Sequence, residues 1–234
     1  MFFGLDLSSP LVWSAFGSIM LANIVLSGDN AVVIAMAART LEPHQRSKAI
    51  FWGSAAAIVM RIVLTIVAIQ LLSLPYLKMI GAVLLVYIGV DLLKGEDESG
   101  DHGKEINGMA AAIRTILLAD LVMSLDNVLA VAAAAKGNLP LLVIGLLVSI
   151  PLIIFGATLL TKVMERFPII ITIGAALLGF LAGEMLLTDP AITTRFGAMA
   201  EQTVLVGGIV GAVLVVALGL YLQKRKQSPE TNNV

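Results

Sequence analysis

LSGDNAVVIA, Leu26 to Ala35, sets an aspartate inside an apolar run long enough to cross a bilayer. MSLDNVLAVA, Met123 to Ala132, repeats the Ser-x-Asp-Asn core in a second such run, ninety-seven residues further on. An ionised carboxylate at the bilayer centre costs about 2.5 to 3.5 kcal/mol even on insertion scales. Asp29 and Asp126 must therefore face protein or water.

The composition around these motifs is that of an all-α, polytopic membrane protein. The chain has 234 residues, 59% of them hydrophobic and 13% charged. Its apolar runs approach the ~20 residues that span hydrocarbon. They predict seven helices, at about 10–38, 48–72, 75–94, 109–135, 139–161, 168–187 and 203–222. No Lys or Arg precedes the first run, so it reads as a retained span rather than a cleaved signal. Eleven of the fifteen Lys and Arg residues fall in the connections after spans one, three and five and in the C-terminal tail. Only Lys78, Lys136 and Arg195 lie on the other side, with Arg61 inside the second span. The positive-inside rule then puts the N-terminus outside a cell or inner membrane and the C-terminus in the cytoplasm.

The net charge of −1 gives no sign of a nucleic-acid partner, and the bilayer is the obvious one. With no cysteine, disulfides and thiolate ligands are excluded. His44 and His102 lie in polar connections and read as solvated. GEDESGDHGKE, Gly95 to Glu105, reads as an acidic cytoplasmic linker.

The motif repeat extends along the chain. LANIVLSGDNAVVIAMAAR (Leu21 to Arg39) aligns without a gap on LADLVMSLDNVLAVAAAAK (Leu118 to Lys136), and IGAVLLVYIGVDLL (Ile80 to Leu93) on IGAALLGFLAGEML (Ile173 to Leu186). The single transmembrane domain thus divides into repeat 1 (about 10–94), a linker (95–108), repeat 2 (about 109–187), a seventh helix (203–222) and a tail (223–234). Three spans per unit is an odd number, so the second unit is inverted, as in many secondary transporters.

Among the intramembrane polar residues, Asp29, Asn30, Asp126 and Asn127 are the first candidates for a cation site, with Asp91 and Glu184 near the ends of the third and sixth spans as entrance carboxylates. Arg61 is the candidate counter-ion: it either pairs a gating carboxylate or stands in for the cation in the empty state. Asp120, six residues before Asp126 and about 120° off its face, ranks second. Consecutive Asp and Asn diverge by about 100° on an ideal helix. A break at Gly28 would let them converge, with Ser27 and Ser124 supplying hydroxyl oxygens or caps. Straight-helix geometry puts Asp29 roughly 7 Å to the cytoplasmic side of its span's midpoint and Asp126 about as far toward the outside, leaving one shared site or two stacked sites open. Carboxylate, amide and hydroxyl oxygens suit a hard cation: Mn²⁺, Mg²⁺ or Ca²⁺. Gly207 and Gly211 read as a helix-packing GxxxG, with homo-oligomer formation left open. Trp13 and Trp52 read as interfacial anchors.

With SGDNAVVIA, SLDNVLAVA, Arg61, Asp91 and Glu184 in these places, the sequence resembles the TerC family of integral membrane proteins, and in its compact length the YjbE-like branch. The resemblance runs from about Trp13 to Leu222. It implies a link to tellurium resistance and, in several branches, to manganese efflux, with Asp29, Asn30, Asp126 and Asn127 as the residues carried over. Leu125 stands where the first motif has Gly28, which puts a symmetric pair of helix breaks in doubt.

Together these readings lead to a non-enzymatic exporter of a divalent metal ion, most simply Mn²⁺, working by alternating access and needing no catalytic cofactor. Small-solute or amino-acid export, and a scaffold delivering metal to secreted proteins, are the alternatives. An intramembrane aspartyl protease would need both carboxyls adjacent and shows no further signature.

Overall fold

The computed structural model describes residues 13, 14, 16–18, 21, 28–72, 74–95, 105–134 and 139–227. Among the described residues there is no strand, and the chain forms helices α1 (Gly28–Ala38), α2 (Pro43–Leu72), α3 (Leu77–Lys94), α4 (Glu105–Ala134), α5 (Leu139–Arg166), α6 (Ile169–Leu187), α7 (Pro190–Phe196) and α8 (Glu201–Gln227). Helices satisfy every backbone N–H and C=O within one segment, which hydrocarbon requires. Five of them, α2, α4, α5, α6 and α8, are long and apolar enough to span a membrane. The 18-residue α3 carries Lys78, Asp91 and Lys94 close to its ends. Of the expected first span, Trp13, Ser14, residues 16–18 and Leu21 are helical, and α1 covers its second half. Most of the acidic linker, including His102, lies outside the described residues.

The helices overrun the apolar stretches at polar ends. α2 starts at Pro43 rather than 48, α5 continues to Arg166 rather than 161, and α8 runs from Glu201 to Gln227 rather than 203 to 222. Hydropathy marks where the bilayer ends, whereas backbone hydrogen bonding continues into water. His44, on the first turn of α2, is exposed, as are Trp13 and Trp52.

α1 is the central helix: Asn30, Ala31 and everything from Val33 to Ala38 are buried. A helix buried nearly all round must have neighbours on every side. Ala31 rests on Gly156 of α5, and Val32 and Met36 press onto Gly174 of α6. α4 lies along α2, with Ile116 over Gly53. α3 and α6 run antiparallel, Gly81 opposite Met185 and Gly89 opposite Ala175 and Leu178.

α8 closes this side by backbone contact. A Cβ at Gly183 would overlap the carbonyl of Gly207, and one at Gly211 would overlap that of Gly179. The GxxxG of α8 thus meets a second GxxxG, Gly179 and Gly183 of α6, within the same chain. Such approach is the means by which membrane helices gain packing where lipid offers no hydrophobic drive.

Asp189 anchors the far end of the bundle. Fully buried, it caps α7, with Oδ1 accepting from the N–H of Ala191 at 2.7 Å. The same carboxylate accepts from Tyr76 N–H at 2.9 Å and Met79 N–H at 3.2 Å, capping α3, whose own N-cap Tyr76 (φ 69°) offers no side-chain bond. Burial alone would raise its pKa, but the N–H donors of Ala191, Tyr76, Met79 and Lys78 outweigh it and hold the carboxyl below its ordinary value.

Gly183→Ala should therefore cost about 3 kcal/mol, the upper range for overpacking, because the obstacle is backbone. Gly156→Ala, whose Cβ would sit 3.7 Å from Ala31, should be tolerated. Thermal unfolding of the two variants in detergent checks the contrast; equal melting temperatures would refute the close packing.

Candidate functional site

Depth can be counted from the small cluster of Leu41, Ala49 and Ala112, where α1, α2 and α4 meet at one end of the bundle. At 1.5 Å per residue, Arg61 lies about 18 Å beyond Ala49, Asp120 and Ser124 about 12 to 18 Å beyond Ala112, and Asp29 about 14 Å back from Ala38. These four residues share one level, near the middle of α2 and α4.

There Arg61 is 2% exposed, Asp120 6% and Ser124 0%. The Arg61 Nη2 donates to Asp120 Oδ1 as an ion pair, while Nε donates to Ser124 Oγ at 3.0 Å and that hydroxyl donates to Asp120 Oδ2 at 3.2 Å. Asp120 and Ser124 are four residues apart, on one face of α4. Every member of this triangle bonds the other two. Such closure is what makes a buried ion pair tolerable, since an unmatched buried charge costs several kcal/mol.

Asp29 adds a third charge. Its carboxylate lies in the electrostatic range of both Arg61 and Asp120. It stands in the first turn of α1 as described, with Oδ1 accepting from the N–H of Asn30 at 2.7 Å. Among the described residues Asp29 makes no ion pair, the guanidinium being spent on Asp120. Asn30 is 3% exposed, turned inward. One turn on, Thr65 Oγ1 donates to the Arg61 carbonyl at 2.7 Å, and two turns back on the same face of α2 the buried Ser54 Oγ has no hydrogen-bond partner among the described residues.

Asp91 and Glu184 are not part of this cluster. Asp91 lies by the end of α3 and Glu184 by the end of antiparallel α6, about 14 Å apart along the crossing. Asp91 lines a crevice at the Leu41 end, and Glu184 lies one turn before Thr188 and Asp189 at the opposite end. Among the described residues no three of His, Cys, Asp and Glu are gathered as metal ligands.

The sequence model of the integral membrane protein TerC family matches residues 8–227. The chain belongs to the TerC family. Its relatives include the uncharacterized membrane protein YjbE of Bacillus subtilis, 42% identical over 87% of this chain and 93% of that protein. YceF of the same organism, also an uncharacterized membrane protein, is 25% identical over 96% and 88% of the two chains. The inner membrane protein YoaE of Escherichia coli is 24% identical over 71% of this chain but only 36% of its own length. No solved structure matches the chain.

Two residues of this TerC protein take structural roles that the sequence leaves unassigned. Asp120, placed second, is the direct partner of Arg61, and its legible signal was the i to i+4 spacing to Ser124, facing an arginine at the same depth. Asp189 was passed over because it lies in a connection, although Asp-Pro before a short helix is a cap signature. The doubt that Leu125 casts on a symmetric pair of breaks is upheld: α4 runs unbroken through Leu125, Asp126 and Asn127. The side chains of Asp126 and Asn127, and all of Ser27, lie outside the described residues. The backbone of Asp126 lies about 21 Å beyond Ala112, roughly 7 Å deeper than Asp29 and half the separation that straight spans implied.

A double-mutant cycle tests the triangle. Arg61→Met alone should cost about 3 to 5 kcal/mol by leaving Asp120 buried and unmatched, and adding Asp120→Leu should recover most of that loss. Additive losses in thermal unfolding would show that the two residues do not pair.

Proposed function

We propose that this protein exports a divalent metal cation, with Mn²⁺ the best match, by alternating access between two inverted three-helix repeats. The observation that carries the reading is the charge count at mid-depth. One guanidinium serves one carboxylate, Asp120, and leaves Asp29 at the same level without an ion-pair partner among the described residues. A transported cation supplies the missing positive charge. Asp29 and Asn30 offer hard oxygens from repeat 1, and Asp126 and Asn127 would offer the equivalent set from repeat 2. Mn²⁺, Mg²⁺ and Ca²⁺ accept such donors, whereas Cu⁺ favours sulfur, which the cysteine-free chain provides only as thioether.

Two further observations support the mechanism. Helix pairing has the form expected of two units exchanged by a pseudo-two-fold axis: α1 packs on α5 as α4 packs on α2, and α3 packs on α6. Asp91 and Glu184 occupy equivalent positions at opposite ends of the bundle, suited to the cytoplasmic and outer mouths under the orientation that the Lys and Arg distribution favours. Tellurite, an anion, would be repelled by such a path.

Purified protein in liposomes, given Mn²⁺, Mg²⁺ and Ca²⁺ in parallel, tests the proposal. Wild-type protein should carry Mn²⁺, and Asp29→Asn should lower the flux by at least about tenfold through loss of the compensating charge. Equal flux in wild type and variant, with both correctly inserted, would overturn it.

A further inference from the structure

At the Leu41 end a crevice of about 80 Å³ opens between three helices, lined by Arg39 and Thr40 after α1, Asp91 of α3 and Thr115 of α4, with buried Met36 and Ala112 as its floor. That volume holds several waters. We infer that this crevice is the cytoplasmic loading site for the divalent cation, with Asp91, Thr40 and Thr115 as oxygen donors and Arg39 as a resident competitor. The inference rests on the export reading above and adds to it a first stop, separate from Asp29, and a residue that sets its affinity.

Three features point to a cation here. The crevice joins a carboxylate to two hydroxyls, a hard-oxygen set that can hold a partly hydrated Mn²⁺ or Mg²⁺. Two helix C-termini converge on it, since Ala38 ends α1 and Lys94 ends α3, and both bring partial negative charge. A positive group already answers that field: Arg39 Nη2 donates to the carbonyl of Leu92, in the last turn of α3, at 2.8 Å. Arg46 fixes the base of this arm, donating from Nη2 to the Arg39 carbonyl at 3.0 Å while Nη1 pairs with Glu165 of α5.

The crevice also lies below the buried centre. Met36 is seven residues from Asp29, two turns down the same face of α1. It is 1% exposed and forms part of the crevice floor. Asp29 thus lies about 10 Å of helix beyond the crevice floor.

Inverted membrane vesicles containing the full chain, with Mn²⁺ alone in the bath, provide the test. Asp91→Asn should raise the half-saturating Mn²⁺ concentration about tenfold, and Arg39→Gln should lower it about threefold, because one removes an attracting charge and the other a repelling one. General damage to the fold cannot move affinity in opposite directions. Unchanged half-saturation in both variants, or shifts of the same sign, would overturn the loading site while leaving export intact. Wild-type vesicles that take up no more Mn²⁺ than protein-free ones would instead overturn the export reading, and the loading site with it.

Discussion

A guanidinium at mid-membrane depth cannot be left unmatched, and the packing of the bundle follows from how Arg61 is satisfied. Asp120 supplies the charge and Ser124 the second acceptor, both from one face of α4, so α2 and α4 must lie side by side along their length. Gly53 permits that contact by making room for Ile116. The same pairing sets the electrostatics of the centre. With Arg61 occupied, the carboxylate of Asp29 on the neighbouring helix carries the excess negative charge, and a binding function becomes possible where a purely structural ion pair would have closed the site.

Around this centre the helices are held by two different devices. α6 and α8 meet through opposed glycines, where backbone touches backbone and even a methyl group has no space. Asp189 works at the bundle end instead, where its carboxylate gathers the N-termini of α3 and α7. Both are rigid contacts outside the polar core. At the Leu41 end α1 and α3 are joined through the long side chain of Arg39, and α2 to α5 through the solvent-reached pair of Arg46 and Glu165.

Much of this was readable from residues alone. Apolar runs placed α2 to α6 and α8 to within a few positions, because hydrocarbon allows few alternatives to a helix. Arg61 was recognisable as a counter-ion by its depth. The choice of partner was not, since Asp29, Asp120 and Asp126 all lay within plausible reach until the helix rotations were known. α7 escaped notice because seven residues of mixed polarity carry no membrane signal, although Asp189 and Pro190 mark its start. Gly207 and Gly211 announced close packing without naming Gly179 and Gly183 as the partners. Asp91 and Glu184 were rightly assigned to span ends, yet the crevice beside Asp91 depends on the adjacent Arg39 and Thr40 and on the distant Thr115, which no single motif unites.

The central claim is that Arg61 belongs to Asp120 and that Asp29 is thereby available to a travelling cation. An experimental structure of the protein in lipid, soaked with Mn²⁺ and recorded at the manganese absorption edge, addresses both halves at once. The expected result is anomalous density beside the Asp29 carboxylate with the guanidinium still on Asp120. Arg61 resting on Asp29, with no metal density in the core, would contradict the account.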